Sequence, residues 1–212
     1  MQNATEITRL ASPGEKPQGL AFLAGTLYVG AWETNTVYGI DPKTGEVRSS
    51  DPAPGTPYGL ATFGDSLRAV VALEDDDRYL VSFVPGKGFD IATKVALPEQ
   101  SGSHLASDGT HFYVVQMGAR RIVELDADGN LLRSVPVAER LGGIAVANGT
   151  LYGIAGDAEL EHLHLATIDL SGETPVVTDV ASIDDLSRGL TYDGSNFWTS
   201  HRDEHRIVAF TP

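Results

Sequence analysis

Five copies of one pattern run head to tail through this chain and constrain its fold more than any other feature. Each copy opens with a strand of the form Gly/His-Leu/Ile-Ala/Thr, reaches a glycine turn, and continues in a second strand that begins with an aliphatic or aromatic pair. The starts are Gly19-Leu20-Ala21, Gly59-Leu60-Ala61, His104-Leu105-Ala106, Gly143-Ile144-Ala145 and Gly189-Leu190-Thr191, spaced 40, 45, 39 and 46 residues apart. The 24 residues from Gly189 onward and the 18 before Gly19 supply a last period of 42 only when the two ends of the chain are joined. A period that closes in this way predicts a ring, and repeats of this length are propeller blades of four strands each. The expected fold is all-β: a single five-bladed β-propeller domain over residues 1–212.

With 42% hydrophobic residues the chain can bury a substantial core. The ring makes that core one domain, because an incomplete ring leaves blade faces exposed. Fifteen Lys and Arg stand against 29 Asp and Glu, a net charge of −14. That balance argues against nucleic acid, whose phosphates need clustered cations, and favours cationic, metal or neutral small-molecule partners. The absence of cysteine excludes disulfides, thiolate zinc sites and cysteine nucleophiles. No apolar run approaches the ~18 residues of a membrane span, so no membrane partner is expected. The opening residues Met1 to Glu6 have neither the charged n-region nor the apolar h-region of a signal peptide. A soluble protein, monomeric, and either cytoplasmic or exported with its signal peptide removed, is expected.

The first blade shows the grammar most clearly. Gln18–Leu23 reads as the inner strand, Ala24-Gly25 as a tight turn, Thr26–Ala31 as the second strand, Thr36–Asp41 as the third and Glu46–Ser50 as the outer one. The turn glycine recurs at Gly25, Gly64, Gly109, Gly149 and Gly194, where a hairpin needs positive φ. Aromatic residues recur at Tyr28, Tyr113, Tyr152 and Trp198, and a position filled in nearly every blade is packing between sheets rather than a stacking platform. The last blade ends after His205–Phe210, its third strand. Ala4–Leu10 alternates correctly and is expected to supply the missing fourth strand and clasp the ring, which removes an open sheet edge.

The run Gly25-Thr26-Leu27-Tyr28-Val29, followed by Asn35-Thr36-Val37, Ile40-Asp41-Pro42 and Thr44-Gly45-Glu46-Val47, resembles a repeat of the YVTN/NHL propellers. Weaker copies are Phe112-Tyr113-Val114-Val115 with Arg121-Ile122-Val123, and Phe197-Trp198 with Arg206-Ile207-Val208. This group is similar to the gluconolactonase/regucalcin-like hydrolases and the streptogramin lyases, most of which have six or seven blades where this ring closes at five. Five-bladed propellers include plant-type glutaminyl cyclases and several sugar-acting folds, and no motif here matches either.

Antiparallel order places the uniform short turns, such as Asp126-Ala127-Asp128-Gly129, on one face and the irregular loops on the other. Asp126 to Asn130 reads as an ordinary hairpin turn rather than the start of a calcium loop. The upper loops carry ten acids, among them Glu33, Glu74 to Asp77, Asp157, Glu159, Glu161, Asp203 and Glu204, together with His162, His201 and His205. Functional side chains collect on loops held by a rigid scaffold. At the channel mouth the residues that open the inner strands are Gln18, Tyr58, Ser103, Gly142 and Arg188, with His104 beside Ser103, and they differ in every blade. That divergence points to an asymmetric site. Arg188 suits an anion or oxyanion, and His104 suits acid–base work. No Gly-x-Ser-x-Gly elbow and no nucleotide-binding glycine motif exists.

The leading reading is a small-molecule hydrolase of lactones, esters or phosphoesters, with its site at the top of the channel. His104 or His201 moves the proton, Arg188 holds the anion, and Gln18, Tyr58, Ser103, Trp32 and Gln116 contact the substrate. The resemblance to the gluconolactonase-like group implies a divalent cation, calcium, held by Glu33, Asp75, Asp157 and Asp203, one from each of four loops. The alternative is a non-catalytic binding or scaffolding ring, and a third reading is a metal-dependent lyase.

Overall fold

A computed structural model describes residues 1–157 and 162–212, with the backbone alone at Asp75. Five antiparallel sheets of four strands stand around one axis. Blade 1 runs Pro17–Leu23, Thr26–Ala31, Thr36–Ile40 and Val47–Pro52 from axis to rim, and blade 2 runs Thr56–Phe63, Ser66–Ala72, Arg78–Val84 and Gly88–Ala96. Blade 3 is His104–Ser107, Phe112–Gln116, Arg121–Leu125 and Leu131–Pro136; blade 4 is Arg140–Ala147, Thr150–Gly156, His164–Asp169 and Val176–Ser182. Blade 5 takes three strands from the C-terminal end, Ser187–Tyr192, Phe197–His201 and Arg206–Thr211, and its outer strand Thr5–Ala11 from the N-terminal end. The protein is thus a five-bladed β-propeller, and its first-blade strands match the sequence reading to within two residues.

The clasp is double. Thr5–Ala11 pairs antiparallel with Arg206–Thr211, from Thr5 opposite Thr211 to Ala11 opposite Arg206. Just before it, Gln2–Asn3 adds a short parallel edge to blade 4, opposite Ala181 and Ser182, and the Ala4 amide donates to the Ser182 carbonyl at 2.8 Å. The N-terminal segment therefore ties two neighbouring blades together, which the alternation of Ala4–Leu10 alone could not reveal.

Hydrophobic faces of adjacent blades pack in pairs. Leu20, Leu27, Val29 and Ile40 of blade 1 meet Trp198, Ile207 and Ala209 of blade 5. Ala145, Ile154 and Leu165 of blade 4 meet Leu190, Phe197 and Phe210 of blade 5. Between second-strand residues of one blade, odd and even positions face opposite neighbours, the period-two rule of a pleated strand. Tyr28, Tyr113 and Trp198 lie in or against these clusters, which confirms them as packing residues.

Five inner strands around one axis leave little room, and glycine resolves the crowding. A Cβ on Gly19 would sit 2.6 Å from the Tyr58 carbonyl oxygen, and one on Gly59 2.7 Å from the Leu105 nitrogen. On Gly143 it would overlap the Leu190 nitrogen, and on Gly189 the Gln18 carbonyl oxygen. At the corresponding place in blade 3 stands His104, whose side chain crosses the axis to Gln18 of blade 1, its Nε2 lying 3.4 Å from the Gln18 Nε2. The axial space bounded by Gly19, Gly59, Gly189, His104, Leu60 and Ile144 has no room for a water molecule.

Candidate active site at the upper mouth

The mouth is built from the ends of second strands and the starts of inner strands. Gln18 is 6% exposed and His104 2%, both beneath a layer of longer side chains. In that layer the Arg202 guanidinium lies 3.6 Å from the centre of the Trp32 ring. Trp32 meets Tyr58 at 5.3 Å between ring centres, and the Arg78 guanidinium lies 3.9 Å from the Tyr58 ring. Stacks of guanidinium on aromatic faces contribute about 0.5–2 kcal/mol each, more where water is excluded.

The three arginines differ in how their charge is met. Arg78 pairs with Asp76 at 2.6 Å. Arg188 donates only to the Asp185 and Ser187 carbonyls, at 2.9 and 2.8 Å. Arg202 leaves Nε buried without a hydrogen-bond partner, and among the described residues neither Arg188 nor Arg202 has a carboxylate within ion-pair distance. Burial pulls the Arg202 pKa down and lifts that of Tyr58. Gln18 Oε1 is also buried and unpartnered.

Burial is the chief influence on His104, and the nearby charges of Arg188 and Arg202 act in the same direction; together they hold its pKa down to about 4. With the Gln18 amide as donor, Nε2 is the acceptor and the imidazole proton sits on Nδ1. The unfolded chain takes up this proton near pH 6.5 and the folded chain only near 4. The stability tied to neutral His104 is therefore complete above pH 6.5 and lost as pH falls toward 4, by about 3 kcal/mol in all. His104→Gln should remove that part of the acid sensitivity, visible as a smaller difference in urea stability between pH 7 and pH 4.5. An unchanged difference would count against a buried neutral histidine.

The structure gathers Gln18, Trp32, Tyr58, His104 and Arg188 of the sequence candidates, and Ser103 stands beside them with its hydroxyl donating to the Val115 carbonyl at 3.0 Å. Two others are elsewhere. Gln116 is 1% exposed, and its amide is spent on the Pro98 and Ser101 carbonyls, at 2.5 and 2.7 Å, and on Arg121. It anchors the blade 2–3 connection and has no group left for a substrate.

His201 is no loop residue. It ends the second strand of blade 5, fully buried, and faces blade 4 rather than the mouth. Its Nδ1 lies 3.5 Å from Arg9 Nη1 and 3.7 Å from Glu204 Oε2, while Nε2 has no partner. Burial pushes its pKa down against the pull of Asp184.

The acids do not form a centre in the described part of the rim. Glu33 is exposed and paired with Lys16. Asp157 lies 3.4 Å from His162 Nδ1, and Asp203 is exposed. The Asp75 side chain, Glu159 and Glu161 lie outside the described residues. Among the described residues no three His, Asp or Glu side chains converge as metal ligands would, so they do not fit a calcium site on their own. Asp126 accepts from the Asp128 and Asn130 amides of its own turn, at 3.0 and 2.8 Å, as a hairpin turn requires. Sequence reasoning missed Arg78 and Arg202. Arg202 was readable only as part of a charged loop, and its stack on Trp32 joins residues 170 positions apart.

A ring of this geometry belongs to a well-populated class of propellers. The chain is similar to glutaminyl cyclase of Myxococcus xanthus, with 14% identity and a TM-score of 0.76 over 99% of this chain and 96% of that one. It is also similar to virginiamycin B lyase of Staphylococcus aureus (14%, TM-score 0.57, 94% and 67%) and to the PQQ-bound aldose sugar dehydrogenase of Streptomyces coelicolor (14%, TM-score 0.61, 98% and 97%). At this identity the likeness establishes the fold. No protein-family model and no curated protein sequence matches the chain. No helix is long and apolar enough to cross a membrane among the described residues.

Proposed function

We propose that the protein is a small-molecule hydrolase that holds a lactone, ester or phosphoester at the upper mouth through Arg188 and Arg202. The observation that carries this reading is the pair of guanidinium groups that have no carboxylate partner among the described residues, in a chain of net charge −14. Fixed cations in a partly dry setting stabilise an oxyanion more than they would in water. Trp32 and Tyr58 supply the flat wall for the rest of the substrate. His104, neutral at pH 7, accepts a proton from the attacking water at Nε2 once the Gln18 amide releases that nitrogen and Arg202, whose charge reaches the imidazole, moves aside. The structural neighbours include a cyclase, a lyase and a dehydrogenase, so catalysis is in keeping with this fold.

The test is a screen of lactones, aryl esters, phosphotriesters and a glutaminyl cyclase substrate, followed by Arg188→Ala and Arg202→Ala. Each variant should lose about 10²–10³ in kcat/KM, the effect of removing one oxyanion donor. Full activity in both would remove the mouth from the chemistry. Calcium stands as a separate proposal: at about 100 times its dissociation constant it should stabilise by about 2.7 kcal/mol, and no shift would dismiss it. A binding-only ring is favoured by one observation, the cover over His104 above a closed axis; tight binding without turnover would decide for it.

A further inference from the structure

We propose that the seam between blades 4 and 5 holds a second small-molecule site, separate from the mouth, for a neutral polyhydroxylated ligand of monosaccharide size. A cavity of about 300 Å³ opens there, beneath the connection between the two blades and behind the N-terminal segment at Asn3, Ala4 and Glu6. That is the lower end of the volumes small-molecule pockets occupy.

Three buried polar groups line it. Ser187 is 2% exposed, Thr199 2% and His201 0%. Ser187 stands opposite His201 across the ladder, and Thr199 precedes His201 by two residues, so all three share one face of the sheet. Ser187 Oγ, Thr199 Oγ1 and His201 Nε2 have no hydrogen-bond partner among the described residues. Buried polar atoms are rarely left so, and three on one cavity wall mark a place built to bond something. The repeat shows that the fold does not need them. Where blade 5 has Thr199 and His201, blade 1 has Val29 and Ala31, blade 2 Ala69 and Val71, and blade 4 Gly153 and Ala155, while blade 3 has Val114 and a Gln116 whose amide is bonded to the Pro98 and Ser101 carbonyls.

The lining selects the ligand class. Two hydroxyls and an imidazole nitrogen can each bond an alcohol, while Phe210 and Val208 form an apolar wall suited to the C–H face of a pyranose. Glu6 and Asp184 at the edge repel an anion. Arg9, bound to Glu6 at 2.8 Å and to Glu204 at 3.0 Å, cancels much of the attraction for a cation. A neutral polyol is what remains.

Calorimetry and thermal-shift titration with glucose, galactose, mannose, ribose, inositol and glycerol would test the site. At least one should bind, and Ser187→Ala and Thr199→Val should each weaken it about tenfold, the loss of one hydrogen bond. The Thr199→Val protein should fold normally, since Val29 and Val114 hold that place in blades 1 and 3. Tyr58→Ala, in the mouth and in contact with Trp32 and Arg78 rather than with blades 4 and 5, should leave the affinity unchanged, which separates this site from the mouth. The proposal is overturned if no member of the panel binds, or if both variants bind as well as the parent.

Discussion

Deleting residues 1–11 is expected to lower the melting temperature by about 10–20 °C and to turn a monodisperse protein into one that associates. The segment supplies the whole outer strand of blade 5 and a parallel edge to blade 4. Each hydrogen bond of its ladder, and the Ala4–Ser182 bond, is worth about 1 kcal/mol net. Leu10 leaves the cluster around Ile207 and Trp198, and Glu204 and Asp184 lose the Arg9 guanidinium. A total near 5 kcal/mol converts to that shift for a chain of this size, at about 2–4 °C per kcal/mol. Association follows because Arg206–Thr211 becomes an unpaired edge that carries the buried Phe210 and Val208. Scanning calorimetry and light scattering on the truncated protein check both parts. A truncated monomer with the parent's melting temperature would contradict the clasp.

The second large effect belongs to a single methyl group. Gly189→Ala places a Cβ onto the Gln18 carbonyl of the neighbouring inner strand, where backbone meets backbone and no side chain can yield. It also crowds the Ser200 hydroxyl, which accepts from the Gly189 amide at 2.8 Å and donates to the Gln18 carbonyl at 2.9 Å, stitching blade 5 to blade 1. Overpacking by one methyl usually costs about 1–3 kcal/mol, and the two stitching bonds add about 1 kcal/mol each. The expected loss is about 4 kcal/mol, among the largest for one substitution. Gly25→Ala is the matched control. That glycine has φ +76 in an open hairpin with nothing within 4 Å of a new Cβ, so the substitution should cost only about 1 kcal/mol. Equal losses in urea titrations of the two variants would mean that conformational freedom, and not close approach, explains the inner glycines.

The repeat makes the number of blades, the ring and the source of the last strand legible in the sequence. Period-two alternation and turn glycines are local, and a five-fold copy averages out the ambiguity of any single strand. The site was less readable, for a physical reason that individual residues show. His201 sits in a run of charged residues, His201-Arg202-Asp203-Glu204-His205, and looks like part of a loop. Whether it extends the second strand depends on its pairing with Ser187 and Arg206 across two ladders. Gln116 looks like a free polar group at a loop, but the Pro98 and Ser101 carbonyls that claim it come from the preceding blade connection. The acids of the upper loops are countable in the sequence but their separations are not, and among the described residues no three of them converge.

What the sequence determined alone is the part encoded by repetition: five four-stranded units, hairpin turns at Gly25, Gly64, Gly109, Gly149 and Gly194, and a ring that needs its N-terminal strand. It also held, unread, the contrast of four inner-strand glycines with one histidine. Tertiary structure decided what those residues mean. Glycine at 19, 59, 143 and 189 lets neighbouring backbones touch, and His104 fills the axis to meet Gln18 from two blades away. It also decided which charges meet, since among the described residues Glu33 and Asp76 pair with Lys16 and Arg78 while Arg188 and Arg202 have no carboxylate within ion-pair distance. Local pattern sets which way a side chain points along a strand; only the closing of the ring sets what it meets there.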